Sequence, residues 1–343
     1  MTRRLCIAVI GLGYFSEFHL GAWQSLEDVG SINVTDLDPD RVAWAADRFN
    51  ATGYQDSTSL ASDSDPDIVD IVAPPPAHEN LIRAFARDGR TIVCQKPFCT
   101  SLQEAKRAVD FAEKARATLI VHENFRFQPW HRTIKQFLDQ DGLGQIYQCR
   151  FSLRPGDGRG REAYLSRQPA FRAMPRLLIH ETGVHFIDLF RWLFGEIRDV
   201  YADIRRLNPV LAGEDAGMLL LNHKSGVQCL FDGNRLSDCE TDNPRQTMGQ
   251  MLIEGEKGAL RLDGNGGLFF RAFGDRFERP VPLIGKVDAE SFGGGCVGAL
   301  IRHVVLGHLG LGALENHARD YLSVIRATEA AYASAERGQK ITL

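Results

Sequence analysis

The stretch Cys6 to His19 (C-I-A-V-I-G-L-G-Y-F-S-E-F-H) restricts the fold more than any other part of the chain. Leu5 to Ile10 is a short apolar run, too short for a membrane span and suited to a strand covered on both faces. Gly11 allows a tight turn, and Gly13 removes the Cβ that would keep a pyrophosphate from the backbone. The helix that follows offers unpaired N–H groups to that anion, with Tyr14 and Phe15 at the contacting turn. Ser16 stands where the G-x-G-x-x-G pattern has its third glycine. It is small enough for close helix–strand packing and is a good cap. A strand-to-helix turn without a ligand has the same local pattern, so the rest of the chain must support the reading.

At 343 residues the chain is long enough for two domains, each with a core of its own. A net charge of −4 gives no reason to expect nucleic acid or an anionic membrane as partner. No apolar run approaches the roughly 20 residues of a spanning helix. Met1-Thr2-Arg3-Arg4 superficially resembles the start of a signal peptide. The apolar run after it is too short and leads into Gly11-Leu12-Gly13 rather than a cleavage site. The seven cysteines are odd in number and scattered, without a C-x-x-C pair. They indicate a reducing, cytoplasmic setting and no metal site.

Strands and helices alternate through about Asn124, which implies a parallel, doubly wound sheet. Strands are expected at Leu5 to Ile10, Ser31 to Asp36, Asp67 to Ala73, Thr91 to Cys94 and Thr118 to Val121. Asp36 ends the second of these, 25 residues after Gly11, where a dinucleotide fold places the acid that binds the adenosine ribose. A carboxylate there repels a 2′-phosphate and favours NAD over NADP. Asp38 is the second choice, with an acidic helix cap as its alternative. Pro74-Pro75-Pro76 and His78 form a loop at the carboxyl edge of the sheet, where such folds bind ligands. Gln95-Lys96-Pro97 leaves another strand at that edge. After a helix near Trp130 to Leu138, strand-like stretches follow at 146–153, 200–206, 217–221, 227–232, 248–254, 258–262 and 267–271. Short polar or glycine turns join several of them, as in an antiparallel sheet. Helical stretches are expected at 182–194 and 317–337. The reading is therefore an α/β dinucleotide-binding domain over 1–124. An α+β domain with a large, mostly antiparallel open sheet follows over 125–343.

Lys96, between a strand end and a proline, points from the sheet edge and can donate to a substrate hydroxyl or to the nicotinamide end of a cofactor. A solvated surface lysine is its plain alternative. In His180-Glu181-Thr182-Gly183-Val184-His185 a zinc reading fails, because two histidines five apart face different directions on an α-helix. Glu181 and His185 are the i, i+4 pair on a helix beginning near Thr182. A carboxylate beside an imidazole orients it as a general base for an alcohol proton. The plain alternative is a helix start with His185 in the core. Asp188 and Arg191 read as surface or packing residues.

Gly11-x-Gly13 with His19, Gln95-Lys96-Pro97, and Glu181-x-Gly183-x-His185, in this order, resemble the glucose-fructose oxidoreductase/inositol dehydrogenase/rhizopine catabolism (Gfo/Idh/MocA) family. The resemblance covers nearly the whole chain, to the helix around Tyr332. It implies a Rossmann domain, then an α+β domain whose open sheet face associates into a homo-oligomer, a dimer or tetramer. It implies hydride transfer between NAD(P) and a carbon of a sugar, polyol or sugar acid. Lys96 then corresponds to the catalytic lysine and His185 to the proton-handling histidine, with Glu181 where an aspartate is usual. Gln95 replaces the family's glutamate, keeping a hydrogen bond but not a charge.

The run Glu123-Asn124-Phe125-Arg126-Phe127 stands at the domain hinge. Glu123, Asn124, Arg126 and His180 join the residues expected to bind substrate, with an ion-paired structural Arg126 as the alternative. The motifs Q-K-P-F and H-E-N-F-R-F-Q are similar to a subgroup that includes D-apiose dehydrogenases. The stretch from His180 to Asp188 and the loop from Arg154 to Arg161, continuing through Tyr164, Arg167 and Gln168, are unlike that subgroup. The loop's four arginines could recognise a carboxylate, unless the loop is merely solvated. Two rival functions remain at this stage. One is a non-catalytic dinucleotide-binding regulator. The other is a hydrolase or lyase that uses tightly bound NAD for transient oxidation.

Overall fold

The computed structural model describes residues 4–343. The leader-like Met1 to Arg3 lies outside them. In chain order the first half runs β1 (Leu5–Ile10), α1 (Ser16–Gln24), β2 (Val29–Thr35), α2 (Pro39–Phe49), β3 (Thr52–Tyr54) and α3 (Ser57–Ser64). It continues with β4 (Ile68–Ile71), α4 (His78–Phe85), β5 (Thr91–Gln95), α5 (Leu102–Lys114) and β6 (Thr118–His122). These strands form one parallel sheet in the order β3-β2-β1-β4-β5-β6. The central strands are buried along nearly their whole length, as strands covered on both faces must be, and all but Asp70 and the ends of β5 are apolar. The sequence reading lacked β3 and α3. β3 is three residues long and largely exposed, and α3 is set by the Asp56 capping box rather than by an apolar stripe.

The rest runs α6 (Pro129–Asp139), β7 (Ile146–Leu153), a π-turn at Leu178–Gly183, α7 (Val184–Phe194), β8 (Ile197–Arg205), β9 (Ala216–His223) and β10 (Gln228–Asn234). Then come β11 (Gly249–Gly255), β12 (Gly258–Leu262), β13 (Leu268–Ala272), β14 (Arg279–Pro280), α8 (Cys296–His308), α9 (Ala318–Arg337) and β15 (Ile341–Thr342). The nine-stranded sheet has the order β14-β13-β12-β11-β7-β10-β9-β8-β15. Only β7 and β10 pair in parallel. β10, β11 and β12 alternate strictly in burial. Cys149, Phe151, Leu219, Leu221, Cys229 and Phe231 are buried on one face. The register sets Tyr201, Leu220, Leu230, Arg150, Leu252, Arg261 and Phe269 in one row across the other. The buried face carries α7 through Phe186, whose ring lies 4.0 Å from Phe151 and 5.2 Å from Phe231 between centroids.

The chain forms two compact units. The first comprises residues up to Glu123 together with Val297–Ile325, and the second Asn124–Cys296 with Arg326–Leu343. The sequence reading divides the chain between 124 and 125; the first unit ends at Glu123 and also takes in Val297–Ile325. The reason lies at β6, the edge of the parallel sheet. Val121 N–H donates to the Asn316 carbonyl, Ile120 bridges His317, and Arg319 reaches Asp110 and Glu113. A returning segment thus covers an edge that would otherwise stay open. α8 was not anticipated, because its glycine-rich approach hides its start.

Within the second unit His131 is fully buried, and its Nδ1 donates to the Phe125 carbonyl at 2.9 Å. Burial pulls its pKa from 6.5 to about 4, against that hydrogen bond. Its folded pKa is therefore depressed. The unfolded chain binds a proton first, so stability is intact above the unfolded value and declines as pH falls toward about 4. Denaturant titrations at pH 7 and pH 5 should differ by about 2 kcal/mol through this residue. The variant His131→Gln should lose that part of the slope.

Candidate active site

The first unit carries the glycine turn. Gly11 has φ +94°, and a Cβ there would lie 2.5 Å from the Ala73 backbone nitrogen. Only glycine fits where β1 and β4 end side by side. A Cβ on Gly13, by contrast, would meet nothing within 4 Å, so its absence keeps space open rather than relieving a clash. Ser16 is fully buried, and its hydroxyl donates to the Gly13 carbonyl at 2.7 Å. No side chain caps the start of α1, although Ser16 and Phe18 N–H donate to the Gly13 and Phe15 carbonyls. Tyr14 is exposed at this turn, while Phe15 packs on Phe18, His19 and His122.

Asp36 follows β2. One carboxylate oxygen accepts Leu12 N–H at 2.6 Å and the other accepts Asp38 N–H at 2.9 Å. Asp36 thus holds the glycine turn as well as standing at the ribose position. Asp38 caps α2, its side chain accepting Asp40 N–H, so the cap alternative describes it. These residues fit an NAD: an open glycine, a helix start with no side-chain cap and a carboxylate at the second strand end.

Gly11, Pro74 and Lys96 leave β1, β4 and β5, parallel neighbours in the sheet, and so lie at one edge. His78 is buried, and Nε2 donates to the Ala73 carbonyl at 2.7 Å. Burial, more than that bond offsets, lowers its pKa. It therefore holds the proline loop as a neutral ring. Gln95 Oε1 accepts the Lys96 N–H at 2.7 Å, and its Nε2 meets His19 Nε2 at 3.1 Å. Glu123 is fully buried, with Tyr321 Oη donating to its carboxylate at 3.2 Å.

The second unit carries His185 and Glu181. His185 opens α7, and its ring stacks on Phe125 with centroids 3.9 Å apart and planes 2° from parallel. Glu181 lies in the π-turn rather than on the α-helix expected from Thr182. The spacing that put Glu181 and His185 on one face assumed unbroken α geometry. π-turns insert an extra residue and often occur at functional sites. This one is held by Glu214, whose Oε1 accepts from Ile179 N–H at 3.1 Å and from the Tyr332 hydroxyl at 2.5 Å. The Tyr332 oxygen in turn accepts His180 N–H at 3.1 Å. Burial, then the Glu214 charge, pushes the Tyr332 pKa up.

Sequence reasoning missed Arg235, the organiser of this unit. Its guanidinium is buried and donates to the Tyr164 hydroxyl and Thr182 Oγ1, each at 2.6 Å, and to Asp157 at 3.3 Å. It stands 3.9 Å from Glu181, whose carboxylate also accepts from Thr182 at 2.5 Å. Burial opposes its charge, but Asp157, Tyr164 and Glu181 outweigh burial and hold its pKa above the ordinary arginine value. The loop after Arg154 is accordingly anchored, with Tyr164 and Phe171 in a small core with Leu177 and Leu211. Two of its four arginines are committed, Arg154 to Asp232 and Arg167 to Asp157. Arg126 makes a two-pronged pair with buried Asp188 at 2.5 Å, so the ion-paired alternative describes it. Of the surface and packing alternatives for Asp188, the packing one describes it. Arg191 pairs with Glu196, and Asn124 donates to Cys296 Sγ at 3.3 Å.

Fold and glycine turn together define a dinucleotide-binding oxidoreductase. Residues 5–123 match the model of an oxidoreductase family with an NAD-binding Rossmann fold, and residues 131–261 match the GFO/IDH/MocA C-terminal domain. The chain is 32% identical to a D-apiose dehydrogenase of Paraburkholderia graminis over its whole length and 90% of that protein. It is 24% identical to a myo-inositol 2-dehydrogenase of Thermotoga maritima over 67% of this chain and 68% of that one. The crystal structure of an Agrobacterium radiobacter oxidoreductase in complex with NAD+, L-tartaric acid and magnesium superposes with a TM-score of 0.87 at 28% identity, covering 99% and 98% of the two chains. The chain belongs to the Gfo/Idh/MocA family of oxidoreductases, as its motifs imply.

The two glycines should separate experimentally. Gly13→Ala should leave the melting temperature unchanged and weaken NAD binding at least about tenfold in a fluorescence titration. Gly11→Ala should cost about 2 kcal/mol or more of stability, because it adds both a clash and a strained backbone.

Proposed function

We propose that this protein is an NAD-dependent dehydrogenase of a neutral aldose, D-apiose or a close relative in shape. The observation that carries the reading is Lys96 leaving β5 at the sheet edge where the glycine turn opens. Gly11, Gly13, Tyr14, Phe15 and Asp36 would hold the dinucleotide, with Pro74, His78 and Gln95 shaping the sheet edge at its nicotinamide end. NAD, when bound, supplies the hydride acceptor. Lys96 donates a hydrogen bond to the reacting oxygen and polarises it. His185 takes the hydroxyl proton as general base, its plane held by Phe125. Glu181, held by Thr182 and Arg235, keeps a negative charge beside the helix that carries His185. Asn124, His180 and Glu123 are proposed contacts to substrate hydroxyls. Arg126 acts by fixing the segment around Phe125.

A neutral substrate is favoured over a sugar acid because Arg154 and Arg167 are already paired with carboxylates. The open face of the nine-stranded sheet, with Met218, Leu220, Leu230 and Leu252, is proposed as the homo-oligomer surface. The described cysteines are all free, which supports a reducing, cytoplasmic setting. Among the described residues no helix is long and apolar enough to cross a membrane.

Following reduced-nicotinamide absorbance across a panel of pentoses, hexoses, polyols and their acids, with NAD and NADP separately, tests the proposal. D-Apiose with NAD should give the highest kcat/KM. Best turnover on a sugar acid would refute the neutral-substrate reading. Product formed without net NADH would favour the transient-oxidation rival. Lys96→Met should keep NAD affinity and lose turnover by several orders of magnitude. Asp36→Asn keeps the acceptor for Leu12 N–H but not the charge, and should narrow the preference for NAD over NADP.

A further inference from the structure

Asp70 is a fully buried carboxylate in the middle of β4, flanked in the sheet by Val9 and Val93. Such a group is expensive unless it is hydrogen-bonded, and fold alone gives no reason for it. Its Oδ2 accepts from Trp23 Nε1 at 2.7 Å and meets His19 Nδ1 at 2.7 Å. His19 is also fully buried, its ring 4.1 Å from that of His122 between centroids and edge-on to Phe15. On its far side His19 Nε2 meets the Gln95 amide at 3.1 Å, and Gln95 Oε1 takes the Lys96 N–H.

The proton positions in this chain follow from its ends. A backbone N–H can only donate, so the Gln95 atom facing Lys96 is the oxygen. The atom facing His19 is then the amide nitrogen, which also donates. His19 Nε2 must accept, so its ring is neutral and its proton sits on Nδ1, donated to Asp70. A glutamate at position 95 would present acceptors to both neighbours and would require a proton on Nε2. The departure of Gln95 from the family pattern therefore matches a neutral His19 held by Asp70. The groups facing His19 are Asp70 from β4, Gln95 from β5 and His122 from β6, with Phe15 beside it.

We propose that Asp70 and His19 are positioning residues for Lys96, acting through Gln95 to set the direction in which the lysine leaves β5. The proposal rests on the reading of Lys96 as the group that acts on the substrate oxygen. It also ties Lys96 to α1, the helix whose start takes the pyrophosphate and which carries both His19 and Trp23. Groups that support a reacting residue in this way typically change rates by about 10- to 100-fold when lost.

The test combines imidazole nitrogen NMR with kinetics on the NAD-saturated protein. NADH formation is followed from D-apiose or, if that is not turned over, from the most active compound of the panel. The His19 resonances are identified by their loss in His19→Gln. Wild-type protein should show His19 as the neutral Nδ1–H tautomer, and Gln95→Glu should show it as imidazolium at the same pH. Asp70→Asn and His19→Ala should lower kcat about 10- to 100-fold with NAD affinity unchanged. His19→Gln, which still bridges Asp70 and Gln95, should recover part of the loss. A wild-type imidazolium or Nε2–H tautomer would overturn the proposal, and that spectrum decides even if Asp70→Asn or His19→Ala fails to fold. Full kcat in Asp70→Asn and His19→Ala, with Lys96→Met inactive, would overturn the positioning role alone. An active Lys96→Met would overturn the reading of the lysine and the proposal with it.

Discussion

The first unit depends on how closely the ends of β1 and β4 approach. With no Cβ on Gly11, the turn after β1 lies against the Ala73 backbone. That contact brings the glycine turn, the proline loop and, one strand over, Lys96 to a common edge. The edge is then locked by side chains that the proposed function also uses. Asp36 holds Leu12, His78 holds Ala73, and Gln95 holds Lys96, each by a hydrogen bond to backbone. Backbone N–H and C=O groups at a sheet edge must find partners, and here the side chains suited to ligand chemistry supply them.

The second unit solves a different problem. α7 is buried around nearly its whole circumference, its one polar stripe (His185, Asp188, Arg191) included, so its start can be placed accurately. Phe186 fixes it on the sheet, and Phe125 fixes His185. The π-turn before it is costly to hold and is held by charge. Glu214 and Tyr332 bind its backbone on one side, and Arg235 binds Thr182 near Glu181 on the other. A buried guanidinium is tolerable only because Asp157, Tyr164 and Thr182 satisfy it. The same residue pins the long loop after Arg154.

Much of the fold was legible because periodicity reports burial. Continuous apolar runs marked the parallel strands, and alternation marked 146–153 and 258–262 to the residue. β3 and β15 carry too few residues for any period, and α8 starts in glycines. The return of 297–325 to the first unit could not be read at all, since edge pairing of Asn316 and His317 with β6 leaves no local pattern. In the site, Gly11, Asp36 and Lys96 carried motif signals. Asp70 was visible only as one charge inside an apolar run, and Arg235 had no signal, being one arginine among many until its partners are known.

The sequence by itself determined the strand-and-helix alternation, the glycine turn, the acid after the second strand and the family. Each depends on residues close together in the chain, where spacing alone encodes geometry. Only the tertiary structure decided which charges are committed to one another. It paired Arg126 with Asp188, Arg154 with Asp232 and Arg235 with Asp157, and it joined Asp70 through His19 to Gln95. Those partners are far apart in sequence, and an ionised group shows its role only when the charge or hydrogen bond that balances it is known.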